Sequence, residues 1–108
     1  MNNTEARQAL LASAYDALKF VDDPEVGLNV VDLGLVYDLV LDEEACKITC
    51  LMTLTSEFCP MGESIVANVT EALKMTVAGY TPVVTLTFDP PWKQDMISEA
   101  GRAFLSGY

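Results

Sequence analysis

The feature that most constrains this chain is a change of hydrophobic period between residues 46 and 77. From Cys46 to Thr55, Cys46, Ile48, Cys50, Met52 and Leu54 alternate with Lys47, Thr49, Leu51, Thr53 and Thr55. That period of two marks a half-buried strand. From about Pro60 to Ala78 the apolar residues fall instead at Ile65, Val66, Val69, Leu73 and Val77. They form one stripe of a helix, which Gly79 stops. A second alternating stretch, Val83 to Asp89, places Val84, Leu86 and Phe88 inward and Val83, Thr85 and Thr87 outward. Strand, helix and strand in succession call for a crossover, which is right-handed in nearly all proteins.

The flanking segments complete the order. Leu35 to Leu41 reads as a strand joined by the turn Asp42-Glu43-Glu44-Ala45 to the strand that starts at Cys46. Upstream, Asn3 or Thr4 caps a helix from about Glu5 to Phe20, with Ala6, Leu10, Ala14 and Leu18 as its stripe and Leu11 and Ala17 beside it. Asp22-Asp23-Pro24 stops that helix, because the residue before proline is pushed out of the helical region. Downstream, Pro90-Pro91 ends the last strand, and a helix from about Gln94 to Leu105 follows, held by Met96, Ile97, Ala100 and Phe104. The order helix-strand-strand-helix-strand-helix predicts a small two-layer α/β domain of the α+β kind. Its three-stranded sheet is mixed or antiparallel. The pattern leaves open whether the third strand lies beside the first or the second.

At 108 residues the chain, 1–108, is expected to form a single domain. Sixteen acidic against six basic residues give a net charge of −10. Nucleic acids bind mainly through phosphate neutralisation by Lys and Arg, so no nucleic-acid partner is expected. An anionic membrane surface is disfavoured for the same reason. No apolar run approaches the roughly 20 residues that a bilayer requires, and the first residues lack a secretory pattern. The three cysteines, Cys46, Cys50 and Cys59, are separated by three and eight residues. That is neither a CxxC knuckle nor a secreted disulfide framework, which points to the cytoplasm. Cys46 and Cys50 share the apolar face of their strand about 13 Å apart, too far to hold one metal, and are expected in the core.

Cys59 is different. It sits where strand pattern meets helix pattern, in MTLTSEFCPMG, directly before Pro60. Proline favours the first position of a helix, so Cys59 is expected as the N-cap. There the unsatisfied N–H groups would lower its pKa and favour the thiolate, which is both nucleophile and metal ligand. The chain contains no histidine, so a cysteine-hydrolase dyad and a His-ligated zinc site are both excluded. A thiolate without a base suits binding and transfer rather than turnover, and the chain is not expected to be an enzyme. Thr53 and Thr55, on the face opposite Met52 and Leu54, and Ser56 after them could donate to a thiolate or anion, or serve as ordinary strand and turn residues. Asp23, Glu25 and Asp32 gather carboxylates in one loop, where they can shape turns or ligate metal. Pro90 and Pro91 stiffen the segment that carries Trp92, which either closes the core or anchors a partner.

Taken in order, DPEVGLNVVDLGLVYDL, MTLTSEFCPMG and DPPWKQDMIS resemble the SufT/PaaD-like family of iron–sulfur cluster assembly proteins over Asp23 to Ser98. The resemblance implies the fold of the iron–sulfur cluster assembly domains. It also implies an accessory role in iron–sulfur protein maturation, with the assembly machinery and recipient apoproteins as partners. The family's cysteine falls on Cys59, its hydroxyls on Thr55 and Ser56, its acidic loop on Asp23, Glu25 and Asp32, and its Pro-Pro-Trp segment on Pro90 to Trp92. A transient iron–sulfur cluster or iron ion would be held, with no tightly bound cofactor. A homodimer would bring two copies of Cys59 together. One branch of the family accompanies aromatic-ring oxygenases, so a non-catalytic oxygenase subunit is the alternative, and a thiol redox protein a lesser one. No cysteine-rich tail of the kind found in that branch is present, which favours the general assembly factor.

Overall fold

The strand predicted from the period of two lies at the centre of the sheet. The computed structural model describes residues 3–58 and 60–106. Along the chain its elements are α1 (Asn3–Leu18), β1 (Asp22–Asp23), β2 (Leu28–Asn29), β3 (Val36–Asp42), β4 (Lys47–Met52), α2 (Gly62–Thr76), β5 (Thr81–Leu86), a 3-10 turn (Gln94–Met96) and α3 (Glu99–Leu105). β3 pairs with β4 antiparallel and β5 pairs with β4 parallel, in the order β3-β4-β5. The sheet is therefore mixed, and the third long strand lies beside the second. A separate antiparallel pair joins β1 to β2, Asp22 opposite Asn29 and Asp23 opposite Leu28.

Strand alternation sorts the sheet into two faces. Leu39, Cys50 and Val84 form one inward row, and Leu41, Ile48 and Pro82 the next. The outward rows are Val40–Thr49–Val83 and Asp38–Leu51–Thr85. Ala14 and Leu18 of α1, Ile65, Val69 and Leu73 of α2, and Val77 directly after α2 are buried with the inward rows, so both helices cover one face. The result is a two-layer α+β domain. Each fully buried Leu, Ile or Val contributes about 1.5–3 kcal/mol by leaving water, and the helical stripe of α2 is the largest such contribution from one element. No helix among the described residues is long and apolar enough to cross a membrane.

Several boundaries differ from those predicted, each for a local reason. α1 begins at Asn3 and ends at Leu18, placing Thr4 inside it; N–H groups of Lys19, Phe20 and Val21 then bond three residues back and tighten the last turn. β4 starts at Lys47 because Cys46 belongs to the turn, with φ of 54°, in the left-handed region. Cys46 is exposed, not a core residue on the face of Cys50. β5 starts two residues earlier than predicted and includes Pro82, which an edge strand tolerates. Leu86, expected inside, is 42% exposed. The last predicted helix is interrupted at Ser98, whose extended backbone gives its N–H to the Asp32 carbonyl (2.8 Å) before α3 begins. Ala100 and Phe104 are consequently exposed rather than packed.

Candidate functional site

A chain of backbone hydrogen bonds sews the acidic loop to the end of β4. Thr53 N–H donates to Leu35 O (2.8 Å), Leu35 N–H to Val30 O (3.0 Å) and Val30 N–H to Val21 O (2.9 Å). This places Leu35 beside Thr53, with Val30 and Val21 following in the same chain of bonds. Asp23 and Thr53 are fully buried polar residues of these two segments. Asp23 Oδ1 accepts the Glu25 N–H (2.9 Å), and its carbonyl accepts those of Val26 (3.2 Å) and Gly27 (2.7 Å). Gly27 closes that turn at φ +81°, a conformation that glycine adopts without penalty. Asp23 Oδ2 is buried with no hydrogen-bond partner among the described residues. Such an oxygen costs about 1–3 kcal/mol or more when left unpaired, and unpaired buried groups cluster at working sites.

Thr53 is not on the outer face, as its place in the alternation predicted. β4 ends at Met52, whose carbonyl accepts the Thr87 N–H (2.9 Å), and Met52, Thr53 and Leu54 are all buried in succession. Alternation fails there because the loop, not solvent, covers that side. The Thr53 hydroxyl donates to Leu54 O at 3.4 Å. Thr55 is half-buried, and Ser56 is exposed with its Oγ accepting the Phe58 N–H (3.1 Å). That bond folds a tight turn and holds Phe58 outward, 88% exposed. Cys59 itself lies outside the described residues.

The helix after Cys59 begins later than proline chemistry predicts. Met61 occupies the N-cap position and Gly62 is the first helical residue. Pro60 is thus outside the helix, and Cys59, expected as the cap, is a residue outside those described. A Cβ on Gly62 would stand 2.8 Å from Leu54 Cδ1. A side chain at this position would require the end of Leu54 to move, so glycine lets α2 approach Leu54 closely. No side chain caps the helix, so the usual sequence signal of a helix start is missing.

The remaining predicted site residues separate into two groups. Asp32 is a structural clamp: its carboxylate accepts from Asn29 Nδ2 (2.7 Å) and Ser98 Oγ (2.8 Å), and its N–H donates to Asn29 Oδ1 (2.9 Å). The bonds from Asn29 and Ser98 hold its pKa below the usual carboxylate value. Trp92 is half-buried, and its Nε1 donates to Leu33 O (2.7 Å), so it closes the fold over the acidic loop. Pro90 and Pro91 are exposed, and Pro90 O accepts the Tyr37 hydroxyl (2.7 Å). Glu25 is exposed beside Asp23. The structure therefore links the acidic loop to Thr53 through backbone bonds, and ties Asp32 and Leu33 to Ser98 and Trp92 of the C-terminal segment.

Two residues with exposed apolar surface near this corner were not singled out by sequence. Phe58 faces solvent directly before Cys59, and Leu86 borders an open hollow of about 450 Å³ with Leu54, Gly62, Glu63, Val66 and Ala67. An aromatic residue next to a charged one in a loop was the only available signal for Phe58. Of the other thiols, burial pushes Cys50 up to about 12, which keeps it protonated. The Cys46 Sγ donates to Glu43 O (3.6 Å) in the hairpin turn, at the opposite end of β4 from Thr53. Among the described residues no three His, Cys, Asp or Glu side chains converge as a metal site.

Comparison with known proteins identifies the relatives of this arrangement. Residues 11–86 match the family described as iron–sulfur cluster assembly protein. The chain is 39% identical over 98 residues to the Fe-S protein maturation auxiliary factor YitW of Bacillus subtilis, covering 91% of this chain and 95% of that protein. It is 40% identical over 86 residues to the Fe-S protein maturation auxiliary factor SufT of Staphylococcus aureus, covering 79% and 96%. The crystal structure of a domain of unknown function from Bacillus anthracis superposes with a TM-score of 0.89 at 34% identity, covering 98% of this chain and all of that one. Matching in sequence across most of its length and in fold across nearly all of it, this chain belongs to the iron–sulfur cluster assembly protein family.

Proposed function

We propose that the chain is an accessory factor in iron–sulfur protein maturation that works without turnover, with Cys59 as its functional thiol. The observation that carries this reading is the agreement of relatives about 40% identical over most of their length, each named a maturation auxiliary factor. The chemistry of the thiols supports the choice of residue. Cys50 is sealed in the core and protonated, and Cys46 sits in the distant hairpin turn. Cys59 lies between Phe58 and Pro60 in the sequence, both exposed.

The cargo is an iron ion or iron–sulfur cluster, held transiently. Cys59 supplies one thiolate, and further ligands come from a second copy or from the recipient apoprotein, which makes the site exchangeable. Asp23 and Glu25 offer further carboxylates. Partners are the assembly machinery and recipient apoproteins in the cytoplasm.

The test is anaerobic reconstitution with iron and sulfide, comparing wild type with Cys59→Ser by visible absorption and bound iron. Colour and iron in the wild type, lost in the variant, are expected of a carrier. Iron in neither protein would remove the carrying role and leave recipient docking. In cells lacking the native gene, Cys59→Ser is expected to fail to restore recipient-enzyme activity. Full restoration would remove Cys59 from the mechanism.

A further inference from the structure

The C-terminal half of β5 combines an open hydrogen-bonding edge with an apolar hollow. Thr81 N–H donates to Cys46 O (2.8 Å) and Thr87 N–H to Met52 O (2.9 Å). Backbone groups along a strand alternate between its two sides, so Val83 and Thr85 face β4 as well. Val84 and Leu86 then point their N–H and C=O groups away from the sheet, and β5 is an edge strand. Pro82 falls on the same open side and has no N–H, which blunts the first half of the edge. The second half is not blunted.

Beside that half lies the hollow of about 450 Å³, formed by Leu54 and Leu86 from the sheet side and Gly62, Glu63, Val66 and Ala67 from α2. A strand added to β5 would alternate its side chains in step with it. Its inward residues would then stand beside Val84 and Leu86, under the helix and over the hollow. Charge selects the occupant further. Among the described residues Glu63 is the one ionisable group that lines the hollow, and no Lys or Arg borders it. Glu57 is exposed in the adjoining loop, and the whole chain carries −10.

We propose that this groove receives an extended segment of the recipient protein. The segment pairs with Val84 and Leu86, seats an apolar side chain in the hollow, and places flanking Lys or Arg residues opposite Glu63. Gly62 borders the groove three residues after Cys59, so a segment held there lies close in sequence to the thiol. Naming the owner of the segment a recipient rests on the maturation-factor reading; the groove itself is tested without any iron or sulfide.

The test is a titration of the isotope-labelled full chain with an end-blocked peptide of alternating lysine and valine, followed by amide NMR. Shifts at Val84, Leu86, Val66 and Ala67, with slowed exchange of the Val84 and Leu86 N–H groups, are expected. Ala67→Arg, at an exposed position, fills the hollow and is expected to weaken binding about tenfold. Glu63→Lys is expected to weaken it roughly threefold. A central proline in the peptide, which removes a pairing donor and leaves the protein untouched, is expected to abolish the effect. Shifts that avoid Val84 and Leu86, or equal binding of a glutamate–valine peptide, would overturn the proposal. So would concentration-dependent shifts of those residues without peptide, because a second copy would then occupy the edge. Failure of the maturation reading registers only in the Cys59→Ser assay, and failure of the groove only in this titration.

Discussion

The acidic loop with its C-terminal strap and the Ser56–Met61 segment are both assembled from motif residues, but they are held very differently. In the first region nearly every polar group is engaged. Asp32 binds Asn29 and Ser98, Trp92 binds Leu33, Tyr37 binds Pro90, and Ser98 Oγ accepts the Gly101 N–H (3.0 Å). In the second, the described side chains make one hydrogen bond, within the turn itself, and Phe58 stands in solvent. Residues that belong to one sequence signature thus divide into those that lock the fold and those left free to meet something else. The difference teaches that a motif carboxylate or tryptophan can be there to brace the site rather than to form it.

Substitutions in the braced region should be costly for stability, the largest first. Gly34 sits at φ +82°, and a Cβ there would stand 2.8 Å from Met96 Cβ. Gly34→Ala is expected to cost about 3 kcal/mol through left-handed strain and the clash with the strap. A thermal melt should then fall by roughly 10–20 °C. A normal melt would show that the strap does not bear on the loop. Trp92→Phe keeps the ring but leaves the carbonyl of fully buried Leu33 unpaired, at about 1–2 kcal/mol in denaturant titration. If recipient maturation falls while stability does not, Trp92 is a partner anchor after all.

Asp32 sharpens the comparison through pH. Its folded pKa is lowered by the bonds from Asn29 and Ser98, relative to an unfolded value of about 3.9. A lowered folded pKa adds stability above the unfolded pKa, and that contribution is lost as pH falls through the folded value. Asp32→Asn should therefore lower stability by about 1 kcal/mol near neutrality, with the gap to wild type closing below roughly pH 4. A gap that stays constant down to acid unfolding would mean that the carboxylate charge plays no part in the clamp.

What could be read in the sequence follows the same division. Period and turn chemistry revealed β3, β4, α2 and the buried stripes of α1 and α2, because burial on one face repeats along the chain, whereas the stripe expected of the last helix is exposed at Ala100 and Phe104. Pairing of β5 with β4, and the capture of Trp92 by Leu33, depend on contacts between distant segments that no local pattern encodes. Thr53 shows where pattern misleads. Its alternation reads outward, yet a separate loop covers that side through the Leu35 carbonyl. Pro60 misleads as well, because proline favours a helix start, yet α2 begins two residues later, at Gly62. The candidate site was legible as residue types in order, whereas its division into clamp and free surface required the fold.

The smallest expected effect on stability is the most informative for that division. Phe58 is 88% exposed and its N–H is held by Ser56 Oγ, a bond that survives any change of side chain. Phe58→Ser should leave the denaturation midpoint unchanged to within about 0.5 kcal/mol. An exposed aromatic next to the thiol proposed as functional is expected instead to meet a partner, where such residues are enriched as anchors. Recipient-enzyme activity in cells should accordingly fall several-fold with Phe58→Ser while the purified protein melts as before. A drop in stability as large as that of Trp92→Phe would place Phe58 in the braced region. The Ser56–Met61 segment would then be part of the scaffold rather than the surface that works against it.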